Sequence, residues 1–380
     1  MKTEAYKGVL SDYAFYVKEH IAVSSLDRDH YFSTENMIPN RGGVCRATSL
    51  PEQERAIRVE AGDVLISNIR PYFKKIWLAK ELAGCSNDVL CIRAKSMCLP
   101  EFLFYYLSSD TFFDYVMAGA KGTKMPRGDK QQIMHFHVLI PNLDIQKQVI
   151  SILSCIDEKI QLNAQINRNL EKQAQAIFKS WFVDFESFQN GRFKDSELSL
   201  IPEGWRVVSL EDIALYNNEK LSASQAKLDT YVSTENMLPN RGGIELASSV
   251  PSTGCVTVFA KNDVLLSNIR PYFRKIWYAP LSGTCSTDVL CFRAKAKVES
   301  EYLYCVLNNE KFFEYIMSGA KGTKMPRGDK RQMMSYRIVM PPQGILENFA
   351  ETLKPLVEHQ RRNTMESRVL PLSATPCCRG

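Results

Sequence analysis

The chain repeats itself at a fixed offset of 200 residues, and any fold it adopts must build the same unit twice. Tyr31–Gly43 reads YFSTENMIPNRGG and Tyr231–Gly243 reads YVSTENMLPNRGG. Asp63–Trp77, DVLISNIRPYFKKIW, answers Asp263–Trp277, DVLLSNIRPYFRKIW. CSNDVLCIRAK at Cys85 answers CSTDVLCFRAK at Cys285, and FFDYVMAGAKGTKMPRGDK at Phe112 answers FFEYIMSGAKGTKMPRGDK at Phe312. The register needs no gap, and LSDYA at Leu10 still aligns with LEDIA at Leu210. A unit of about 140 residues is too long for a solenoid repeat and long enough for a core of its own.

Within a copy, VLISNI and DVLCIRA read as strands, PNRGG as a turn, and LPEFLFYYLSSDTFFDYVMAG as one or two helices. The predicted class is α+β, a mixed α/β unit present twice. Between the copies the pattern changes. From Ile145 to about Phe185, the residues Val149, Leu153, Ile156, Ile160, Leu170, Ala174, Ile177 and Trp181 recur at steps of three and four, with Asn163 and Asn167 filling the gap. This spacing predicts an amphipathic helix with a coiled-coil seam, roughly 60 Å long at 1.5 Å per residue. Polar residues on such a seam set register and orientation rather than add stability.

A matching helix follows the second copy: Ile345 aligns with Ile145, Leu353 with Leu153, Leu356 with Ile156, Asn363 with Asn163 and Leu370 with Leu170. Pro355 predicts a kink or late start there, and the match stops at Pro371, which predicts a helix some four turns short of the first. The expected layout is a first domain (1–143), a long helix (144–186), a linker (187–204), a second domain (205–343), and a shortened helix with an irregular tail (344–380). The two helices are expected to pack as an antiparallel coiled coil. That packing would relate the two copies by a pseudo-twofold axis.

Composition narrows the function classes. No apolar run approaches a membrane span, the first residues lack a signal-peptide layout, and the chain is expected to be cytoplasmic with no membrane partner. A net charge of +6 permits an acidic partner without demanding one. The eleven cysteines contain no CxxC pair, and Cys85, Cys91, Cys285 and Cys291 flank apolar strands, so free buried thiols are expected. His20, His30, His135, His137 and His359 have no counterparts across the repeat. His135-Phe-His137 faces Ser-Tyr-Arg in the second copy, and no metal site is assigned. No catalytic constellation emerges.

Three repeated stretches carry candidate binding chemistry. The loop AKGTKMPRGDK concentrates Lys121, Thr123, Lys124, Arg127 and Lys130 against Asp129. Gly122 and Gly128 allow close backbone approach, which suits phosphate contacts. The GxxxxGK[ST] spacing of a nucleotide loop is absent. SNIRPYFKK supplies Ser67, Asn68 and Arg70 as hydrogen-bonding groups, Tyr72 as an aromatic face and Lys74 as charge; Arg and Asn are the common bidentate readers of guanine and adenine. STENMIPNRGG adds Asn40 and Arg41. The second copy supplies Asn240, Arg241, Ser267, Asn268, Arg270, Tyr272, Arg274, Lys321, Thr323, Lys324, Arg327 and Lys330.

With the order domain, helix, domain, helix in place, the sequence resembles the specificity (S) subunits of type I restriction–modification systems. The likeness is carried by ISNIRPYFKKIW, the GTKMPR loop, LIPNLDIQKQVISILSCIDEKIQLNAQINRNLEKQAQAIFKSWFVDF and IPEGWRVVSLEDIA, and it covers nearly the whole chain. It implies two target-recognition domains, each reading half of a split site in double-stranded DNA, with the helices fixing their separation and docking two methyltransferase (M) subunits. It implies adenine methylation with S-adenosylmethionine held by M, and an ATP- and Mg-dependent nuclease when restriction (R) subunits join. The S chain itself would hold no cofactor and perform no catalysis. The two copies here are nearly alike, where family members usually carry unlike ones, so the expected target is palindromic or nearly so. Ala61-Gly62 against Lys261-Asn262, and Leu78 against Tyr278, are places where the halves diverge. A stand-alone DNA-binding protein is the main alternative. A protein-binding scaffold comes next, and an independent enzyme last.

Overall fold

The computed structural model describes residues 5–322 and 325–374, with side chains up to 370. The described residues divide into two units, one running up to residue 158 and taking in 373 and 374, the other residues 159–372. The division falls inside the first long helix, Leu143–Phe182.

In the first unit a four-stranded antiparallel sheet runs in the order Ala14–Tyr16, Val89–Ala94, Val64–Ser67, Ile76–Leu78. A second sheet runs His20–Ala22, Arg55–Val59, Ala83–Cys85, Tyr31–Phe32, its last pair parallel. Ala5–Val9 pairs with His137–Pro141 as a separate antiparallel ribbon. Both predicted strands form because their apolar residues have somewhere to go: Val64, Leu65, Ile66 and Val89–Ile92 are all 2% exposed or less. The stretch from Pro100 resolves into two helices, Pro100–Leu107 and Asp110–Ala118. Ser109 separates them, its hydroxyl accepting from Phe112 N–H as the N-cap of the second. Phe102, Leu103, Leu107, Phe112, Phe113 and Val116 pack on the first sheet to form the core.

The second unit repeats this plan. Its sheets run Ala214–Asn217, Val289–Ala294, Val264–Ser267, Ile276–Tyr278 and Lys220–Ser222, Cys255–Phe259, Gly283–Cys285, Tyr231–Val232. The ribbon is Arg206–Ser209 with Arg337–Met340. The stretch joining the first helix to this domain is folded against it, with Phe185, Ile201 and Trp205 buried. Phe178, Phe182 and Trp181 meet Tyr302 and Phe349 in an aromatic cluster. Here the structure corrects the seam read from spacing. Ala174, Phe178 and Phe182 are the buried positions, whereas Ile177 and Trp181 lie on the flank of the core. Steps of four keep one helix face against a flat domain surface, and that surface, as well as the partner helix, selects the buried side.

The second long helix runs unbroken from Gln343 to Ala374. The late start considered at Pro355 does not occur, and the helix continues past Pro371, where the match to the first helix ends. Pro355 and Glu351, whose carbonyl loses its donor, both lie on the solvent side, where water can satisfy that carbonyl. A proline φ near −65° is also the helical value. The described helix has 32 residues against 40, a difference of about two turns. In the second unit it packs antiparallel to residues 159–182. Asn163 Nδ2 reaches Glu366 Oε2 (2.8 Å) and Ser367 Oγ (3.2 Å), while Asn167 Nδ2 reaches Thr364 Oγ1 (3.2 Å). Asn363 Nδ2 donates to Asn167 Oδ1 at 3.0 Å. The polar seam residues therefore bond to one another across the helix pair.

Cys85, Cys91, Cys285 and Cys291 are buried free thiols, and burial pushes the Cys285 thiol up to about 12. Among the described residues no helix is long and apolar enough to cross a membrane.

Candidate nucleic-acid interface

The three repeated stretches, far apart in sequence, meet in each copy. In the first, the loop Lys121–Arg127 closes on itself through two backbone bonds of 2.9 Å, Lys121 N–H to Arg127 O and Arg127 N–H to Lys121 O. Further backbone bonds join it to SNIRPYF: Arg70 N–H donates to Pro126 O (2.8 Å) and Gly128 N–H to Asn68 O (3.3 Å). The PNRGG turn docks on the same stretch, with Asn40 N–H on Phe73 O (2.7 Å) and Arg41 N–H on Lys74 O (2.9 Å). The second copy repeats the bonds, Arg270 N–H to Pro326 O (2.8 Å), Asn240 N–H to Phe273 O (2.7 Å) and Arg241 N–H to Arg274 O (3.0 Å). Gly128 is required at the junction, because a Cβ there would lie 2.9 Å from both Asn68 Oδ1 and Val116 Cγ1.

Backbone strain concentrates on this surface. Among the described residues eleven non-glycine residues have positive φ, and eight of them are Asn40, Arg41, Arg70, Lys74 and their counterparts Asn240, Arg241, Arg270 and Arg274. Each costs about 1–3 kcal/mol and persists only where surrounding structure holds it, a pattern that collects at functional sites.

Not every predicted residue faces solvent. Ser67 and Ser267 end buried strands at 2% and 3% exposure, their hydroxyls donating to the carbonyls of Ile69 and Ile269. They shape the turn rather than present a reader. Asn68 and Asn268 are also buried, and their Oδ1 atoms, with Arg70 Nε and Arg270 Nε, lack hydrogen-bond partners. Arg41 is turned onto the protein, Nε donating to Ser108 O and Nη2 to Asp110 Oδ1, both 2.5 Å. Lys74 Nζ donates to the same Asp110 oxygen at 2.7 Å. Arg241 matches with Asn308 Oδ1 (2.8 Å) and Glu310 Oε2 (2.9 Å), and Arg274 also pairs with Glu310. Asn40, Asn240, Tyr72, Tyr272, Lys121, Thr123, Lys124, Arg127 and Lys130 lie on the exposed surface, as do Lys321, Arg327 and Lys330. Lys330 Nζ donates to Tyr216 Oη at 2.8 Å and stands over its ring. Thr323 and Lys324 lie outside the described residues.

Several cations of this surface are matched by carboxylates. Lys121 pairs with Asp129 (2.7 Å) and Arg127 with Asp88 (3.1 Å); Lys321 pairs with Asp329 (2.8 Å) and Arg327 with Asp288 (3.0 Å). Lys74 and then Arg41 hold the Asp110 carboxyl below its usual range, and Lys121 does the same for Asp129. Asp129 also caps the helix Lys130–Met134, accepting from Gln131 and Gln132 N–H. Reasoning from sequence found the basic residues but missed Asp88, Asp110 and their counterparts, since nothing local marks a partner 36 or 39 residues away. It also missed Met125 and Met325, about half exposed at the tips of the cationic loops. An apolar residue flanked by Lys124 and Pro126 was the available signal.

Residues 44–172 and 202–367 match the family described as the type I restriction modification DNA specificity domain. The MjaIX specificity subunit of Methanocaldococcus jannaschii is 23% identical over 337 residues, spanning 84% of this chain and 76% of that one. The HindI specificity subunit of Haemophilus influenzae is 30% identical over 213 residues, 53% of this chain and 46% of its own. The crystal structure of a type I restriction–modification S subunit from M. genitalium superposes with a TM-score of 0.54 at 12% identity, covering 99% of this chain and 96% of that one, and shares the fold. The match spans both copies and well over half of the chain, and the chain belongs to the family of type I restriction–modification specificity subunits.

Proposed function

We propose that each copy reads one half of a split DNA site through the surface where its three repeated stretches converge. The observation that carries this reading is the stitching of two glycine-bearing cationic loops and an aromatic turn into one face, built the same way in both copies. The exposed Lys121, Lys124, Arg127 and Lys130 suit phosphate oxygens, which set register on a duplex. Asn40, Arg70 and Tyr72, with Met125, suit groove and base contacts. Releasing condensed counterions would make affinity fall steeply with salt.

The chain acts as the DNA reader of a complex with M and R subunits, which would hold S-adenosylmethionine and ATP with Mg; two M subunits per chain fit one for each half-site. The reader itself holds no cofactor. Because the two faces share their residues at nearly every position, the half-sites are the same sequence, and inverted placement of the copies would make the target palindromic or nearly so. Mapping methylated adenines across DNA from cells expressing this chain with its M subunit tests the reading. The expected motif is one half-site and its inverted complement around a fixed spacer. Two unrelated half-sites would refute it.

A further inference from the structure

The pairing of cations on the proposed face raises a question of specificity. A cationic loop binds any duplex, because phosphates carry no sequence information. Here, however, Arg41, Lys74, Lys121 and Arg127 each already hold a carboxylate partner in the free chain. The second copy repeats every pair: Arg241 and Arg274 on Glu310, Lys321 on Asp329, Arg327 on Asp288.

The Asp110 and Glu310 pairs differ in kind from the others. One carboxylate bridges two cations from two different loops, the PNRGG turn and the PYFK turn. Between copies both members change together. Asp110 with Lys74 becomes Glu310 with Arg274, so the acid's length and the base's geometry vary while the net charge stays constant. Each acid also opens a helix, where a negative charge suits the N-terminal dipole, but with 66% of its side chain exposed Asp110 is not fixed there by packing. Asp129 offers a less clean test because it also caps a helix.

We infer that Asp110 and Glu310 are positioning residues for DNA specificity: they occupy Arg41 with Lys74, and Arg241 with Arg274, so that these cations are withheld from phosphates of unselected DNA. An exposed ion pair is individually weak. A phosphate delivered in the correct register can therefore replace the carboxylate, whereas a phosphate arriving at random competes against it. The inference rests on the proposed DNA-reading face.

The test uses the full chain as wild type, as Asp110→Asn with Glu310→Gln, and as the charge-keeping swap Asp110→Glu with Glu310→Asp. Each is titrated with a mixed-sequence duplex over a range of salt. Each freed cation that reaches a phosphate adds about 0.9 to the slope of log affinity against log salt. The neutral variant is expected to steepen by about 2 to 4, and its low-salt affinity to rise on the order of tenfold. The charge-keeping swap should retain the wild-type slope. A neutral variant with an unchanged slope overturns the inference, and so does a swap that behaves like the neutral variant, because the effect would then lie in packing. If the double neutral variant does not fold, Asp110→Asn alone carries the same test with half the change. A wild type that binds the duplex without salt dependence would refute the DNA-reading face itself. Steep wild-type binding left unmoved by the neutral variant refutes only the role of the carboxylates.

Discussion

Replacing Asn167 and Asn363 by leucine, singly and together, tests whether the polar seam of the helix pair specifies orientation at the expense of stability. Asn363 is 6% exposed, and its Nδ2 donates to Asn167 Oδ1 at 3.0 Å. Asn363→Leu gains about 1.5–3 kcal/mol of apolar burial. It also orphans Asn167 Oδ1 at a cost of about 1–3 kcal/mol, so the single change should be close to neutral. Asn167→Leu gains less, because that site is only half-buried, and orphans Asn363 Nδ2, so a modest loss is expected.

The double variant leaves neither orphan. Thr364 Oγ1 keeps its bond to Gln360 O (2.7 Å), and Gln360 Nε2 keeps the backbone oxygen of residue 167 (3.1 Å). It should be more stable than wild type by about 2–4 kcal/mol from burial of two leucines. The favourable coupling, the double minus the two singles, should therefore exceed about 2 kcal/mol, because it sums the two orphan penalties of about 1–3 kcal/mol each. Urea unfolding read by tryptophan fluorescence measures it. Trp181, Trp205 and Trp277 lie in the second unit, and Trp77→Phe silences the one tryptophan outside it. A coupling near zero, or a double variant less stable than either single, would refute the reasoning.

Two further changes probe the units separately. Phe349 is fully buried among Phe178, Trp181, Phe182 and Tyr302. Phe349→Ala should destabilise the second unit by about 3–5 kcal/mol through lost burial and a residual cavity, and a loss under about 1 kcal/mol in the same urea assay would contradict the packing described. In the first unit, burial raises the Asp157 carboxyl above its usual range, partly offset by the bond from Tyr105 Oη at 2.9 Å. A raised carboxyl is disfavoured in its ionised form by folding, so the charge costs stability once pH rises above the usual carboxylate range near 4. Asp157→Asn, which can still accept from Tyr105, should raise the melting midpoint of this unit at pH 7. The gain should shrink as pH falls towards about 4 and vanish below it. A lower midpoint at pH 7 would show that the charge is stabilising.

Much of this molecule is legible in its letters because the information is local or periodic. The offset of 200 fixes two like units, alternation and helical spacing mark Val64–Ser67, Val89–Ala94 and the two long helices, and the repeated motifs carry the family resemblance. The candidate surface was legible as a list of basic and polar residues. Its construction was not. That PNRGG, SNIRPYF and GTKMPR share one face depends on backbone bonds between Asn40 and Phe73 and between Arg70 and Pro126, which no spacing rule contains. Tertiary structure alone turned Ser67 inward, set Asp110 between Arg41 and Lys74, and chose Phe178 over Ile177 for the core. Proline was the clearest misreading. Pro355 removes one donor, but a helix face open to water absorbs that loss, and whether a face is open is decided only when the chain packs.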